Sequence, residues 1–518
     1  MQFFINPIGI QSIIFSASEL GTTTKLTTRS LKAFSVEAVL SPETNSQSNI
    51  IFPCVQGMAF VTAVYAKLTP SIQSAVFFRS LVPLSAPRAG IFKYRATLED
   101  GKTWLLYVTS SDLQDPKLRL VSNTQIQGKP KWSGLIQVAK VTNIASNEPV
   151  YDASAGVYPV RCTMSAQTTG SIGTYRYEWT KLGLLDGQPL LMFALPHHVQ
   201  SFGPATANRK TSLLLQTTTK GIATAVASDS WTLLESALPI DVSFSPWSPS
   251  TRTRSDFSSY ARGIIAQVAK AELSQNMDAQ TNLDSMYFSG KALSKFAVLV
   301  YTAQYILKDT ALAQAGLQQL KAAFSRFSSN KQIYPLVYDS KWGGMVSSGS
   351  YITKDQNQDF GNTYYNDHHF HYGYFIHAAA IIAKLDSKWL SSNALWVNTL
   401  IRDAGSPSSN DPKFPFSRNF DWFHGHSFAK GLFESADGKD EESTSEDAFF
   451  AYALKMWGQV TGDKSTEARG NLMLAILSRT FDNYFLMKKS NTNQPANFIA
   501  NKVTGIVSTF GPFCRPFR

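Results

Sequence analysis

The sequence predicts a multidomain protein of the β-plus-α class, with a β-sandwich at the N-terminal end and paired helices at the C-terminal end. The chain has 518 residues, which is more than one ordinary domain needs. Hydrophobic residues make up 43% of it and charged residues 16%, proportions typical of a globular protein with a large core. Near Ser258 the period of the hydrophobic pattern changes from that of strands to that of helices.

The β-sandwich is predicted from short segments in the first 200 residues that are rich in β-branched and aromatic residues. Four of these segments are KAFSVEAVL, GMAFVTAVYAKL, SAVFFRSLVPL and TYRYEWTKLG. Between RATLE and KTWLLYV lies Asp100-Gly101, a residue pair that is favoured in tight hairpin turns. Repeated strands at this spacing predict a large sandwich over residues 1–200.

A mixed stretch between two Pro-containing segments predicts a small α/β linking domain over residues 201–258. Hydrophobic residues then recur at helical spacing in SYARGIIAQVAKAEL, KALSKFAVLVYTAQYIL, ALAQAGLQQLKAAFSRF, HFHYGYFIHAAAIIAKL, SEDAFFAYALKMWGQV and EARGNLMLAILSRTFDNYFL. Short polar or Pro/Gly loops separate these segments, so we expect neighbouring helices to pair antiparallel. If the pairs close into a ring, residues 259–518 form an α/α barrel.

The charge and composition exclude several classes of partner. The formal net charge is +11, but Lys and Arg are scattered without a basic run, so we expect no nucleic-acid partner. No stretch reaches the roughly 18 apolar residues of a membrane span, so we expect no membrane partner. The three cysteines, Cys54, Cys162 and Cys514, allow at most one disulfide.

Histidines and carboxylates concentrate in one region of the chain. Six of the eight histidines lie between His368 and His426. Seven carboxylates and a single lysine lie between Glu434 and Asp447, inside a protein of net positive charge. The alternative explanation is a solvated acidic surface, but a local acidic cluster of this density favours a chemical role.

Paired carboxylates are what hydrolysis of a glycosidic bond requires, because one must be protonated and the other ionised. Asp367 lies beside Tyr364, Tyr365 and Phe370 in the sequence. An apolar, partly desolvated setting raises the pKa of a carboxyl group. The sequence therefore predicts Asp367 as a general acid that protonates the leaving oxygen.

Glu442 is the candidate for the ionised partner. Ser443 and Glu446 have the spacing of a capping box at the start of a helix. Glu442 would then lie just before the helix, near its positive end, where an ionised carboxylate is favoured. The same pattern leaves two roles open for Glu446, which either caps the backbone or supports catalysis.

A metal site is the alternative interpretation of the histidines. His369 and His371, with His424 and His426 and the nearby Asp367, could act as metal ligands. No C-x-x-C or H-E-x-x-H motif supports this, and the surrounding aromatic residues are typical of a sugar cleft. We therefore predict no metal and no cofactor.

The segments NTYYNDHHFHYGYF, RNFDWFHGHSFAKGLFESADGKDEESTSED and NFIANKVTGI resemble glycoside hydrolase family 81, the endo-β-1,3-glucanases, and above all its fungal members. The resemblance extends through INPIGIQS, LEDGKTWLLY, FALPHH, LQTTTKGIATAV and SDSWTLLES, and so covers nearly the whole chain to about Gly505. It implies a β-sandwich, a small α/β domain and a C-terminal (α/α)6 barrel. It also implies endo-hydrolysis of cell-wall or storage β-1,3-glucan with inversion at the anomeric carbon.

Residue by residue, the resemblance implies that Asp367 is the general acid, Glu442 the general base and Glu446 a companion carboxylate. An inverting enzyme places its acid and base carboxyl groups roughly 6.5–9.5 Å apart, which leaves room for the attacking water. Glu441 departs from the family pattern, since it stands where the family commonly has Gln. The candidate substrate-binding residues are Trp342, Tyr364, Tyr365, His371, Trp422, His424 and His426.

The resemblance further implies a monomer that acts on glucan outside the cell or in the cell wall. After NKVTGI the family continues with further barrel helices, whereas this chain continues VSTFGPFCRPFR. The family also has more sandwich before INPIGIQS, and the first twenty residues lack the basic part of a signal peptide. We therefore expect a chain truncated at both ends. An inactive or non-catalytic glucan-binding product is the alternative to an enzyme.

Overall fold

The computed structural model describes residues 11–184, 187–248, 251, 253–254, 256–433, 439–500 and 502. The chain forms two compact units, whose main boundary lies between Leu234 and Glu235. Residues 201–234 belong to the first unit and residues 235–258 to the second. The predicted division into domains 1–200, 201–258 and 259–518 stays a prediction.

The N-terminal part up to Glu235 is mostly β-structure, as the sequence predicted. Its strands are β1 (Ile14–Ala17), β2 (Lys25–Lys32), β3 (Ser35–Ser41), β4 (Asn49–Val55), β5 (Val61–Leu68), β6 (Pro70–Gln73), β7 (Phe78–Leu84), β8 (Phe92–Leu98), β9 (Thr103–Ser110), β10 (Arg119–Ser122), β11 (Gln125–Gln127), β12 (Trp132–Val141), β13 (Val157–Thr169), β14 (Ile172–Gly183), β15 (Leu191–Ala194), β16 (Lys210–Gln216), β17 (Ile222–Ala227) and β18 (Ser230–Glu235). Its helices are α1 (Ile144–Ser154), α2 (Pro196–Ser201) and α3 (Pro204–Ala207).

Two antiparallel sheets share the main core of this part. One has eight strands in the order β2-β3-β4-β5-β12-β9-β8-β7, and the other has the order β1-β6-β11-β10. Leu106 and Val108 of β9 pack into a buried cluster with Ile72 of β6 and Ile126 of β11. Alternate residues of a strand face opposite sides of its sheet, so burial on this face joins the two sheets.

The opposite face of the eight-stranded sheet is buried as well. Leu105 and Tyr107 of β9 pack with Tyr151 of α1 and with Leu191 of β15. A strand buried on both faces shows a continuous hydrophobic run, which explains the sequence TWLLYV. The hairpin between β8 and β9 turns at Gly101, whose φ of 80° favours glycine.

The C-terminal part is mostly helical. Its helices are α4 (Ser259–Leu273), α5 (Met277–Thr281), α6 (Met286–Tyr301), α7 (Thr310–Ser328), α8 (Gly349–Thr353), α9 (His368–Leu385), α10 (Leu390–Gly405), α11 (Thr444–Thr461), α12 (Lys464–Tyr484) and α13 (Ala496–Ile499). Its strands are the short pairs β19 (Trp247–Ser248) with β20 (Thr253–Arg254), β21 (Leu336–Asp339) with β22 (Gly344–Ser347), and β23 (Phe420–Asp421) with β24 (His426–Ser427).

Helix α9 is the centre of this helical part. It packs against α6 on one side and α11 on the other, while α10 packs on α9 and α12 packs on α11. All but three of its eighteen residues are buried, which explains the hydrophobic run in the second half of its sequence. Closure of the helices into an (α/α)6 ring stays a prediction. No helix in the described ranges is long and apolar enough to cross a membrane.

Helices α11 and α12 pack closely because glycines lie at their contact. A Cβ atom on Gly470 of α12 would lie 2.5 Å from the backbone nitrogen of Lys455 in α11. A Cβ atom on Gly458 of α11 would lie 2.3 Å from the backbone nitrogen of Glu467 in α12. Since backbone atoms cannot move aside as a side chain can, only glycine permits this separation.

We expect Gly470→Ala to lower the free energy of unfolding by about 1–3 kcal/mol, because overpacking forces the two helices apart. Gly263→Ala is the matched control, since Gly263 lies in helix α4 and a Cβ atom added there would meet nothing within 4 Å. That substitution should stabilise the protein by roughly 0.5–1 kcal/mol. Urea denaturation followed by circular dichroism measures both changes, and equal shifts in both variants would contradict the prediction.

Candidate active site

Asp367 lies immediately before helix α9 and is held by the backbone on both sides. Its N–H donates to the carbonyl of Ala429 at 2.9 Å, and its own carbonyl accepts from the N–H of His371 at 2.9 Å. The residue has a left-handed backbone with φ 58°, and its side chain does not cap the helix. Asp367 is only 7% exposed, and its Oδ1 has no hydrogen-bond partner among the described residues.

The environment of Asp367 favours a protonated carboxyl group. Burial raises its pKa to about 7, against the partial compensation of the nearby His371 charge. The negative charge of Glu442 raises this pKa further, and the positive charge of Lys430 lowers it. Asp367 can therefore hold a proton near neutral pH, as the sequence predicted for the acid.

Two chain segments run beside each other and bring Asp367 close to Lys430 and Glu442. The N–H of Leu432 donates to the carbonyl of Tyr364 at 2.7 Å, and the N–H of Gly431 donates to Oδ1 of Asn366 at 2.9 Å. A Cβ atom on Gly431 would collide with the backbone carbonyl of Tyr364. Glycine at this position therefore lets the two segments approach each other.

Glu442 lies just before Ser443, the N-cap residue of helix α11, as the sequence predicted. Its φ of 43° is left-handed, so Glu442 lies outside the helix that contains Glu446. Its side chain is about a third exposed, and Oε2 lies 3.4 Å from Nζ of Lys430. Solvent can therefore reach the Glu442 carboxylate, whose negative charge acts on the buried Asp367.

Glu446 does not form the predicted capping box. Ser443 is the N-cap residue of α11, but its side chain makes no capping hydrogen bond. Instead, Oε1 of Glu446 accepts from the hydroxyl of Tyr287 at 2.7 Å and from that of Tyr374 at 2.6 Å. The capping prediction is wrong because two phenol donors from α6 and α9 turn the carboxylate away from its own backbone.

His371 forms a buried ion pair one helical turn after Asp367. Its Nδ1 lies 3.4 Å from Oδ2 of Asp359, and both side chains are almost fully buried. Burial alone would lower the pKa of His371, but the charges of Asp359, Asp367 and Glu446 raise it above its usual value. These neighbouring carboxyl groups therefore favour the protonated form of His371.

Asp359 also fixes the start of helix α6. Its Oδ1 accepts from the hydroxyl of Ser285 at 2.5 Å, and its Oδ2 accepts from the N–H of Met286 at 3.0 Å. Burial raises the pKa of Asp359, but the charge of His371 and these hydrogen bonds outweigh it, so the pKa falls below its usual value. One carboxylate therefore connects α6 with α9.

The histidines of the predicted metal alternative have separate partners, although the rings of His424 and His426 lie 6.2 Å apart. His369 is fully buried against Phe370, and burial keeps its pKa well below its usual value. His424 pairs with Asp421 at 2.9 Å, while Nδ1 of His426 lies 2.7 Å from the carbonyl of Ser427. Among the described residues, no three His, Cys, Asp or Glu side chains are grouped so that they could hold a metal ion.

The predicted aromatic substrate contacts differ in their exposure. Trp342 is 54% exposed in the loop between β21 and β22. Tyr364 is partly buried, whereas Tyr365 and Trp422 are almost fully buried. The hydroxyl of Tyr365 donates to Oδ2 of Asp339 at 2.9 Å, and the guanidinium of Arg418 lies 4.1 Å from the centre of its ring. The substrate-binding role of each of these residues stays a prediction.

Comparison with known protein families assigns both parts of the chain. Residues 1–249 match the glycosyl hydrolase family 81 N-terminal domain, and residues 256–510 match the family 81 C-terminal domain. The chain belongs to glycoside hydrolase family 81.

Curated relatives of this family 81 chain include three fungal proteins. A glucan endo-1,3-beta-D-glucosidase of Arthroderma benhamiae is 55% identical over 98% of this chain and 56% of that protein. Glucan endo-1,3-beta-D-glucosidase 2 of Saccharomyces cerevisiae is 42% identical over 98% and 65%, respectively. The primary septum glucan endo-1,3-beta-D-glucosidase of Schizosaccharomyces pombe is 40% identical over 97% and 49%. The chain therefore spans about half to two thirds of the length of these relatives.

A solved structure supports the fold of the family 81 chain. It is a family 81 glycoside hydrolase from Clostridium thermocellum, with a TM-score of 0.71 and 21% identity. The match covers 92% of this chain and 64% of that chain. The similarity confirms a β-sheet N-terminal part followed by a helical C-terminal part.

Four residues around the carboxylates were missed by the sequence analysis: Tyr287, Asp359, Tyr374 and Lys430. Tyr287 and Asp359 lie outside the His-rich and acidic segments, and only the contacts between helices bring them to the site. The position of Lys430 could have been predicted from the sequence, since a lysine just before an acidic cluster can pair with one of its carboxylates.

We expect Asp367→Asn to stabilise the family 81 chain, and more so at high pH. The pKa of Asp367 is raised from about 4 to about 7 in the folded state, so folding holds a proton that the unfolded chain has lost, and stability falls as the pH rises from about 4 to about 7 and then stays constant. An amide cannot ionise, so the variant should gain up to a few kcal/mol at about pH 8 and little at about pH 4.

Thermal unfolding at the two pH values measures this effect. Asp355→Asn is the control, because Asp355 is exposed and its substitution should leave the pH dependence unchanged. A gain for Asp367→Asn that is the same at both pH values would contradict the prediction.

Proposed function

We propose that this chain hydrolyses internal linkages of β-1,3-glucan by an inverting two-carboxylate reaction, with Asp367 as general acid and Glu442 as general base. The observation that supports this most is the contrast between the two groups. Asp367 is buried with a pKa raised to about 7, and Glu442 is partly exposed beside Lys430. Family membership and the names of the three fungal relatives supply the substrate class.

In the proposed reaction Asp367 donates its proton to the glycosidic oxygen while the bond from that oxygen to the anomeric carbon breaks. Oδ1 of Asp367 has no hydrogen-bond partner among the described residues, so a substrate oxygen can become its partner. Glu442 removes a proton from a water molecule, and that water attacks the anomeric carbon from the opposite face. The product sugar therefore has the inverted configuration.

Glu446 has a positioning role in this proposal. Its Oε1 accepts two phenol hydrogen bonds, which fix the orientation of the carboxylate. Its negative charge also raises the pKa of His371, after the larger effects of Asp359 and Asp367. Glu446 thereby favours the charged form of His371, which in turn lowers the pKa of Asp367. Glu446 does not itself donate the proton.

The polymeric substrate suggests where the protein acts. The name of the Schizosaccharomyces pombe relative places that protein's activity on primary septum glucan. We propose an extracellular or cell-wall location and a monomer whose partner is the polysaccharide. The alternative predicted from the sequence, a glucan-binding protein without catalysis, would bind glucan without releasing reducing ends.

The catalytic assignment predicts the effect of two substitutions. Asp367→Asn and Glu442→Gln should each lower the rate of laminarin hydrolysis at least 10²–10⁴-fold, since each removes a proton-transfer group. The release of reducing ends measures the rate, and proton NMR of the first products gives the anomeric configuration. Glu43→Gln is the control, because Glu43 is exposed in the N-terminal unit. Full activity of Asp367→Asn, or β-configured first products, would contradict the mechanism.

The pH dependence predicts a second result. Hydrolysis requires protonated Asp367, so kcat/KM should fall as the pH rises through about 7. The charge of Lys430 lowers the pKa of Asp367, so Lys430→Met should move this alkaline limb to higher pH. Lys464→Met, on the exposed start of α12, should leave the limb in place. A shift to lower pH in Lys430→Met would contradict the assignment.

A further inference from the structure

Two phenylalanines form an exposed aromatic patch in the helical part. Phe288 lies in the first turn of α6, and Phe360 lies in the segment before α9. Phe288 is 49% exposed and Phe360 is 51% exposed. Their ring centroids are 5.7 Å apart with an interplanar angle of 64°. We call this pair the Phe288–Phe360 patch.

Tyr287 lies between the patch and Glu446, the carboxylate to which we assign a positioning role. Its ring centroid lies 5.2 Å from that of Phe288 and 5.5 Å from that of Phe360. On its other side the ring is 5.4 Å from that of His371, and its hydroxyl donates to Glu446 at 2.7 Å. A ligand on the patch would therefore be separated from Glu446 by a single tyrosine.

The exposure of Phe360 depends on an unusual backbone. Asp359, Phe360 and Gly361 are all left-handed, with φ values of 52°, 59° and 80°. Left-handed backbone is uncommon for a bulky residue and costs free energy. Asp359 is buried on His371 and α6, while the next residue in this turn is half exposed. The turn thus directs one side chain into the ion pair and the next one to the surface.

Strain of this kind is retained where the surrounding structure requires it, and it concentrates at ligand sites. The Asp359 carboxylate explains why the turn is kept, but it does not require an aromatic residue at position 360. A flat apolar ring beside a carbohydrate-cleaving centre has a specific use, because the C–H groups of a pyranose face pack on it. The two phenylalanine side chains are apolar, which suits the C–H face of a neutral polysaccharide.

We propose that Phe288 and Phe360 form an aromatic subsite that binds a glucosyl unit of the β-1,3-glucan chain beside the catalytic carboxylates. This inference rests on the proposed function, because it takes β-1,3-glucan as the ligand. The subsite binds the part of the polymer that extends away from the bond being cleaved. It contributes affinity and does not take part in proton transfer.

The test measures binding of a soluble β-1,3-glucan oligosaccharide by isothermal titration calorimetry. All variants are made in the full chain with Asp367→Asn, so that the ligand is not consumed. Phe288→Ala and Phe360→Ala should each weaken the Kd on the order of tenfold, since each removes a stacking surface. Phe360→Tyr keeps the flat ring and should bind as the parent does, whereas Phe360→Leu keeps apolar bulk without the ring and should bind as weakly as Phe360→Ala.

Phe77→Ala is the matched control. Phe77 is a 45% exposed phenylalanine with a left-handed φ of 72°, but it lies in the N-terminal unit. Its substitution should leave the Kd unchanged. In chains with an intact Asp367, Phe360→Ala should raise KM for laminarin and leave kcat nearly unchanged, because the subsite acts only in binding.

Other outcomes separate the inference from the proposed function. An unchanged Kd in both alanine variants, in a parent chain that hydrolyses laminarin, would overturn the subsite and leave the catalytic proposal intact. Retained affinity in Phe360→Leu would overturn stacking as the mode of binding. If Phe360→Ala instead abolishes self-association and leaves the Kd unchanged, the patch binds a second copy of the chain. Absence of both binding and hydrolysis in the parent chain would overturn both proposals.

Discussion

The buried ion pair between Asp359 and His371 is the interaction on which the site depends. A carboxylate without a partner is costly to bury, so Asp359 and His371 must stay together at 3.4 Å. Asp359 also accepts from Ser285 and from the backbone of Met286, which fixes the start of α6 relative to α9. Loss of this carboxylate would leave a buried cation and free the first turn of a helix at once.

The same pair sets the electrostatics of the acid. Burial raises the pKa of Asp367 to about 7, and the His371 charge is the largest effect that opposes it. Without a compensating cation, a carboxyl group at this depth would hold its proton too tightly to donate it readily near neutral pH. The ion pair thus gives an intermediate proton affinity, which neither burial nor a neighbouring charge provides alone.

The sequence predicted the elements better than their contacts. Helical periodicity located α4, α7, α9 and α11, because each buries one face or all of its surface at a regular spacing. The local setting of Asp367 predicted a raised pKa for its carboxyl group, and burial does raise that pKa. The prediction of a capping box at Ser443 was wrong, because the spacing of residues in the sequence cannot reveal competing donors from other helices. The phenols that bind Glu446 come from Tyr287 and Tyr374, more than seventy residues away in sequence.

Several residues of the site have a left-handed backbone, which residues other than glycine do not favour on their own. Asp359, Phe360, Tyr365, Asp367 and Glu442 all have positive φ values between 43° and 64°. Each such conformation in a residue other than glycine costs on the order of 1 kcal/mol or more. A short peptide of this sequence would not adopt them, so the packed helices must supply the compensating free energy. The positions of the carboxylates therefore depend on the packing of α6, α9 and α11 against one another.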